Sequence, residues 1–171
     1  YGTLMYVNVI FVAIFLGYSI GSAPIVSYHY GARNSEELKN LLTKSLKMIG
    51  VGGVALFALA QLIASPLARI FVGYDPNLFD LTRHGFRIFC LAFLVNGFNI
   101  YGSSFFTALN NGLLSALISF LRTLVFQIAS VLLLPMIFGI DGIWGAVFVA
   151  EILTLCVTII CLAKKQKVYH Y

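Results

Sequence analysis

An all-α membrane protein, a polytopic bundle of about five transmembrane helices, is the architecture these 171 residues specify. Three observations carry that reading. Hydrophobic residues make up 60% of the chain and charged residues only 10%, against roughly 25% charged in an ordinary soluble domain. The mean hydropathy is +0.95. The apolar residues are also gathered into runs that reach the ~20 residues needed to cross a hydrocarbon core of about 30 Å. A soluble domain of this size has too little interior to hide so much apolar surface, so lipid must cover the remainder.

Residues 1–32 contain no Asp, Glu, Lys or Arg, and they predict a first span over 4–28. Pro24, near its end, removes a backbone hydrogen bond and predicts a kink, a defect that neighbouring helices absorb in membranes. The most polar stretch follows, GARNSEELKNLLTKSLK. Asn34 or Ser35 supplies an N-cap there and Glu36 and Glu37 supply first-turn acids, so a second helix starts near Ser35. Its apolar part gives a second span over 48–64, with Ser65-Pro66 as the stop. Residues 66–89 alternate apolar residues with Arg69, Asp75, Asp80, Arg83 and Arg87 and are broken by Gly73 and Pro76, which predicts an interfacial connection. Tyr74 and the nearby Phe residues suit the headgroup level.

The stretch 88–121 carries no formal charge and is divided by the turn signal Asn110-Asn111-Gly112. That places a third span at 83–109 and a fourth at 113–138, with Pro135 close to its end. Gly139-Ile140-Asp141-Gly142 is the next turn. The fifth span covers 143–163 and ends at the snorkelling anchors Lys164, Lys165 and Lys167. Arg33, Lys39, Lys44 and Lys47 fall on the same side as those three lysines, against Arg69, Arg83 and Arg87 on the other. The positive-inside rule makes the richer side, and the C-terminus, cytoplasmic. Tyr1 is then outside, and a further helix is expected ahead of it.

Several function classes drop out. The net charge of +5 arises from short basic stretches between apolar runs, without the basic stripe and interleaved aromatics of a nucleic-acid binder. Cys90, Cys156 and Cys161 lie inside apolar runs with no CxxC spacing, and His29, His84 and His170 are isolated, so neither a disulfide framework nor a metal site is indicated. No GxxxxGK[ST] loop is present, which argues against ATP-driven transport, and with the histidines isolated the expectation is not an enzyme.

The polar residues inside the spans fall on stripes. Ala92, Asn96, Asn99, Ser103 and Thr107 share one face of span three, which serves either helix packing or the lining of a cavity. Ser115, Ser119, Thr123, Gln127 and Ser130 share a face of span four, with Arg122 beside them. An Arg this deep costs about 2.5–3.5 kcal/mol even on lenient insertion scales, so it must turn inward toward a partner or water. Glu151 is the acid inside span five and the natural partner for it. Two readings stand: a proton or cation site, or a structural ion pair fixing two helices. Gln61 in span two, and Asn8, Tyr18, Ser19 and Ser22 in span one, are further polar residues within the spans.

Three stretches carry a family resemblance: GSAPIVSYHYGARN closing span one, SSFFTALNNG at the hairpin, and SFLRTLVFQIASVLLLPMIFGIDGIWGAVFVAEIL over the last two helices. Together they resemble the multidrug and toxic compound extrusion (MATE) transporters. The resemblance implies helices eight to twelve of a twelve-helix transporter with two six-helix lobes, and hence a missing N-terminal lobe as partner. It further implies a plasma-membrane antiporter that exports amphipathic or cationic compounds in exchange for Na⁺ or H⁺, the coupling ion standing in place of any cofactor. Pro24 and Pro135 become hinge candidates, and Asn96, Asn99, Ser103, Gln127, Arg122, Glu151, Gln61 and Tyr18 become candidates for the substrate or cation pathway. Relatives often hold a carboxylate on the helix that here offers only the amides Asn96 and Asn99, and an amide can coordinate Na⁺ but cannot carry a proton. A lipid-linked oligosaccharide flippase of the same superfamily, which would be expected to hold more basic residues within its spans, is the alternative, as is an inactive truncated bundle.

Overall fold

The structure, a computed structural model, describes residues 2–169 and 171. Among the described residues there is no strand, and five helical runs are long and apolar enough to cross a membrane. The first is α1 (Gly2–Gly31), which continues through Pro24. Asn34 caps the second, α2 (Ser35–Val72), by accepting from the backbone N–H of Glu37 at 3.2 Å. At 38 residues α2 is about 57 Å long, well beyond the hydrocarbon thickness, so its first turns, with Glu36 and Lys39, stand clear of it.

The stop expected at Ser65-Pro66 does not occur, because α2 runs on to Val72. Ala60, Ala64 and Ala68 recur every four residues and are buried to within 1% of completeness, a small-residue seam that holds the helix against its neighbours across the proline. Pro66 removes one backbone hydrogen bond, and this seam of contacts outweighs it. The interfacial connection expected over 66–89 is therefore the end of α2, a short turn and a further helix, α3 (Pro76–Phe89). Asp75 starts α3 by accepting from the N–H groups of Asn77 (2.9 Å) and Leu78 (3.3 Å), with Pro76 in the first turn where its missing N–H does no harm. The third span thus begins at Pro76 rather than near residue 83, and passes through a tight 3₁₀ turn (Cys90–Ala92) into α4 (Phe93–Ala108).

The Asn110-Asn111-Gly112 hairpin is present. Asn110 adopts φ +59°, Asn111 N–H reaches back to Phe106 O at 2.8 Å, and the Asn111 side chain caps the next helix by accepting from Leu114 N–H at 3.1 Å. Span four comprises α5 (Gly112–Phe120), a π-helical segment (Leu121–Phe126) and α6 (Gln127–Phe138), with Pro135 inside the last turn. The turn expected over 139–142 contracts to Gly139 alone, whose φ of +59° suits glycine. Then α7 (Ile140–Tyr169) runs on past Lys164, Lys165 and Lys167, so these lysines lie within its last turns and do not end it.

Helix α4 is the centre of the bundle and touches α1, α2, α5 and α7. In the most apolar window of the span that contains it, 61% of residues are buried, against 11–33% in the other four, whose outer faces present residues such as Val51, Leu62, Leu113, Met136 and Ile159 to lipid. Close approach depends on glycine. A Cβ on Gly97 would fall 2.6 Å from the Phe15 ring, and one on Gly102 would fall 2.4 Å from Thr158 Cγ2.

Candidate functional site

The 3₁₀ turn and α4 bring Asn96 and Asn99 to one buried face, 2% and 0% exposed. Opposite them the π-helical segment carries Arg122, and such segments, one residue wider per turn, recur where a helix re-aims a side chain at a functional site. The third wall is α7, which supplies Glu151 with Thr154 and Thr158 on the same face, all of them buried.

The three walls close on the Glu151 carboxylate. Arg122 donates to its Oε1 from Nε (2.9 Å) and from Nη2 (2.6 Å), while Asn99 Nδ2 donates to Oε2 at 2.7 Å. Asn99 Nδ2 also donates to the Glu151 carbonyl at 2.8 Å, and its Oδ1 accepts from Thr158 Oγ1 at 3.2 Å. Arg122 Nη2 donates in addition to Asn96 Oδ1. Each amide oxygen thus accepts one side-chain hydrogen bond in this state, Asn96 from Arg122 and Asn99 from Thr158. Glu151 is 5% exposed at its side chain and Arg122 25%, so the guanidinium is the half of the pair that meets open space. That space is a cavity of about 320 Å³, bounded by Asn8 and Val12 of α1, Asn96, Arg122, Thr123, Gln127 and Glu151. The buried amide oxygen of Asn8 makes no hydrogen bond within the described residues.

Of the expected pathway residues, Asn96, Gln127, Arg122 and Glu151 reach this cavity and Asn99 stands directly behind it. The others are elsewhere. Ser103 joins Ser115 and Ser119 (Oγ to Oγ 2.9 Å each) in a hydroxyl ladder that fastens α4 to α5. Tyr18 donates to Ser45 Oγ at 2.9 Å, tying α1 to α2, and Gln61 donates to the Arg87 carbonyl at 3.2 Å, tying α2 to α3. The sequence reading passed over Thr154 and Thr158, although their spacing of three and seven residues from Glu151 marks one helix face. Among the described residues no group of three or more His, Cys, Asp or Glu side chains is arranged to hold a metal ion.

A polytopic membrane bundle with a charged pair bridging two of its helices, at the wall of a cavity, has the build of one lobe of a membrane transporter. The MatE family model matches residues 1–133, and the chain belongs to that family. No protein of curated function matches it in sequence. Among solved structures it is similar to a multidrug resistance MATE family transporter of the MOP superfamily in its outward-facing conformation, with TM-score 0.90, 17% identity, and coverage of 99% of this chain and 38% of that one. The inward-facing conformation of such a transporter gives TM-score 0.88 and 18% identity over 97% of this chain and 39% of that one. A MATE in complex with MaL6 gives 0.89 and 18%, over 98% and 38%. The chain therefore spans about two fifths of the length of these transporters and has the fold of one lobe.

Proposed function

We propose that the chain is the C-terminal lobe of a plasma-membrane antiporter that exports amphipathic or cationic compounds while Na⁺ or H⁺ moves inward. The observation that carries this reading is the Glu151–Arg122–Asn96–Asn99 cluster at a cavity wall, in a lobe of the MATE fold. A carboxylate with two donors on one oxygen and one on the other is a switchable group. A cation or proton that takes the guanidinium's place frees Arg122 to move with the π-helical segment. One elementary charge crossing 100 mV supplies about 2.3 kcal/mol, enough to drive export without ATP.

Near-equal superposition on outward-facing and inward-facing relatives supports a lobe that rocks as one body against its partner lobe. Export is favoured over lipid flipping because Glu151 neutralises the one cation lining this cavity, leaving the cavity wall no net positive charge for a lipid phosphate. The seven Lys and Arg residues at one end of the bundle support a cytoplasmic C-terminus. The test is reconstitution of the full-length protein in liposomes. An imposed Na⁺ or H⁺ gradient should drive a cationic dye, and lipid-linked oligosaccharide should not cross. Flipping of that lipid without dye movement would replace this reading with the flippase.

A further inference from the structure

On the side of α4 away from the polar cavity lies a second concavity, about 250 Å³, between α2 and α7. Leu46 of α2 and Leu155, Ile159 and Leu162 of α7 form its walls, and Phe98 of α4 is its floor. Thr158 also lines it, but that hydroxyl is committed inward to Asn99 at 3.2 Å, so the wall offers an entrant no free polar group. Ile159 is 54% exposed, so the groove opens outward, toward the face that carries the bundle's lipid-exposed residues.

What distinguishes this groove from an ordinary furrow is its basic end. On α2, Lys39 lies seven residues before Leu46, hence on the same face and about 10 Å along the axis. On α7, Lys165 lies three residues after Leu162 and seven after Thr158, again on the groove face and about 5 Å beyond it. The two helices are antiparallel, and their basic ends are held at the same end of the bundle. Asn111 donates to Tyr169 Oη at 2.6 Å, and the Tyr30 and Tyr169 rings meet at 5.7 Å. Of the nearest acids, Glu37 falls on the opposite face of α2 and Glu36 about 80° from the groove. An apolar slot at acyl-chain depth that ends between two lysines at headgroup depth matches one chemistry.

We infer that this groove is a binding site for an anionic phospholipid, one acyl chain lying along Phe98, Leu155 and Ile159 and the phosphate held between Lys39 and Lys165. The site rests on the membrane fold alone and stands whether or not the chain takes part in drug export.

The test is native mass spectrometry of the detergent-purified full-length protein with phosphatidylglycerol or phosphatidylcholine added. Wild type should retain one phosphatidylglycerol in preference to phosphatidylcholine. Lys39→Gln with Lys165→Gln should weaken that retention about 30-fold, equivalent to about 2 kcal/mol at 1.4 kcal/mol per tenfold. Ile159→Trp, which fills the slot, should remove the lipid while leaving the lysines in place. Equal retention of the two lipids, or an unaffected lysine double variant, would overturn the proposal. Independently of any variant, phosphatidylglycerol with a photoactivatable acyl chain should label residues 155–162 of the wild-type protein. Labelling confined to other helices, or a cysteine at position 159 that cross-links to another part of the protein, would show that something else covers the groove.

Discussion

Removing the Glu151 carboxylate while leaving Arg122 in place isolates the interaction on which the lobe's interior depends. Glu151→Ala deletes three donor contacts, two from Arg122 and one from Asn99, and leaves a guanidinium whose side chain is only 25% exposed. Breaking a buried pair from one side costs about 3–5 kcal/mol, and the partial opening of Arg122 to the cavity places this case near 3 kcal/mol. Asn99 keeps its bond to the Glu151 backbone carbonyl, so the loss belongs mainly to the charge. Replacing both partners, as Arg122→Met with Glu151→Leu, removes the stranded charge and should return stability to within about 1 kcal/mol of wild type. Unfolding in mixed micelles can be followed by the fluorescence of Trp144, the one tryptophan of these 171 residues, which is 7% exposed and packs against Gly85. A loss below about 1 kcal/mol for Glu151→Ala, or strictly additive single and double variants, would refute the pairing.

Three further outcomes follow from packing and capping. Gly102→Ala places a Cβ 2.4 Å from Thr158 Cγ2 and should cost about 1–3 kcal/mol in the same unfolding assay, with Thr158→Ser, which removes that methyl and keeps the hydroxyl, restoring most of it. Arg33 closes α1 at φ +55°, with Asn34 N–H bonded to His29 O at 3.0 Å, and Arg33→Gly at this left-handed position should raise stability by about 0.5–1 kcal/mol. Asn111→Ala loses both the cap on Leu114 N–H and the 2.6 Å bond to Tyr169, and should lower stability by about 1–2 kcal/mol and loosen the C-terminal turn of α7 in hydrogen exchange.

The membrane fold was legible because its causes are compositional: uncharged runs of sufficient length, and the Asn-Asn-Gly punctuation that divides spans three and four. The Arg122–Glu151 pairing was legible for a related reason, since two charges deep in separate apolar runs have few partners other than each other. The continuation of α2 through Pro66 was hidden because a local breaker was judged without the Ala60, Ala64 and Ala68 seam that opposes it. Asp75-Pro76 is a helix start by its own chemistry, yet the surrounding charges disguised it as a loop. The π-helical segment that aims Arg122, and the separation of Ser103, Tyr18 and Gln61 from the cavity, are consequences of tertiary packing. A polar stripe reports that a face is buried, and only the neighbouring helix decides whether it meets another hydroxyl, a backbone carbonyl or an opening.

The most direct test is ion-driven efflux of a cationic dye from liposomes containing the full-length protein, wild type against Glu151→Gln. If the Glu151 carboxylate couples ion movement to export, the variant should still bind dye but no longer respond to an imposed Na⁺ or H⁺ gradient. Gradient-driven efflux at the wild-type rate would reduce the Arg122–Glu151 pair to a structural tie and contradict the proposed coupling.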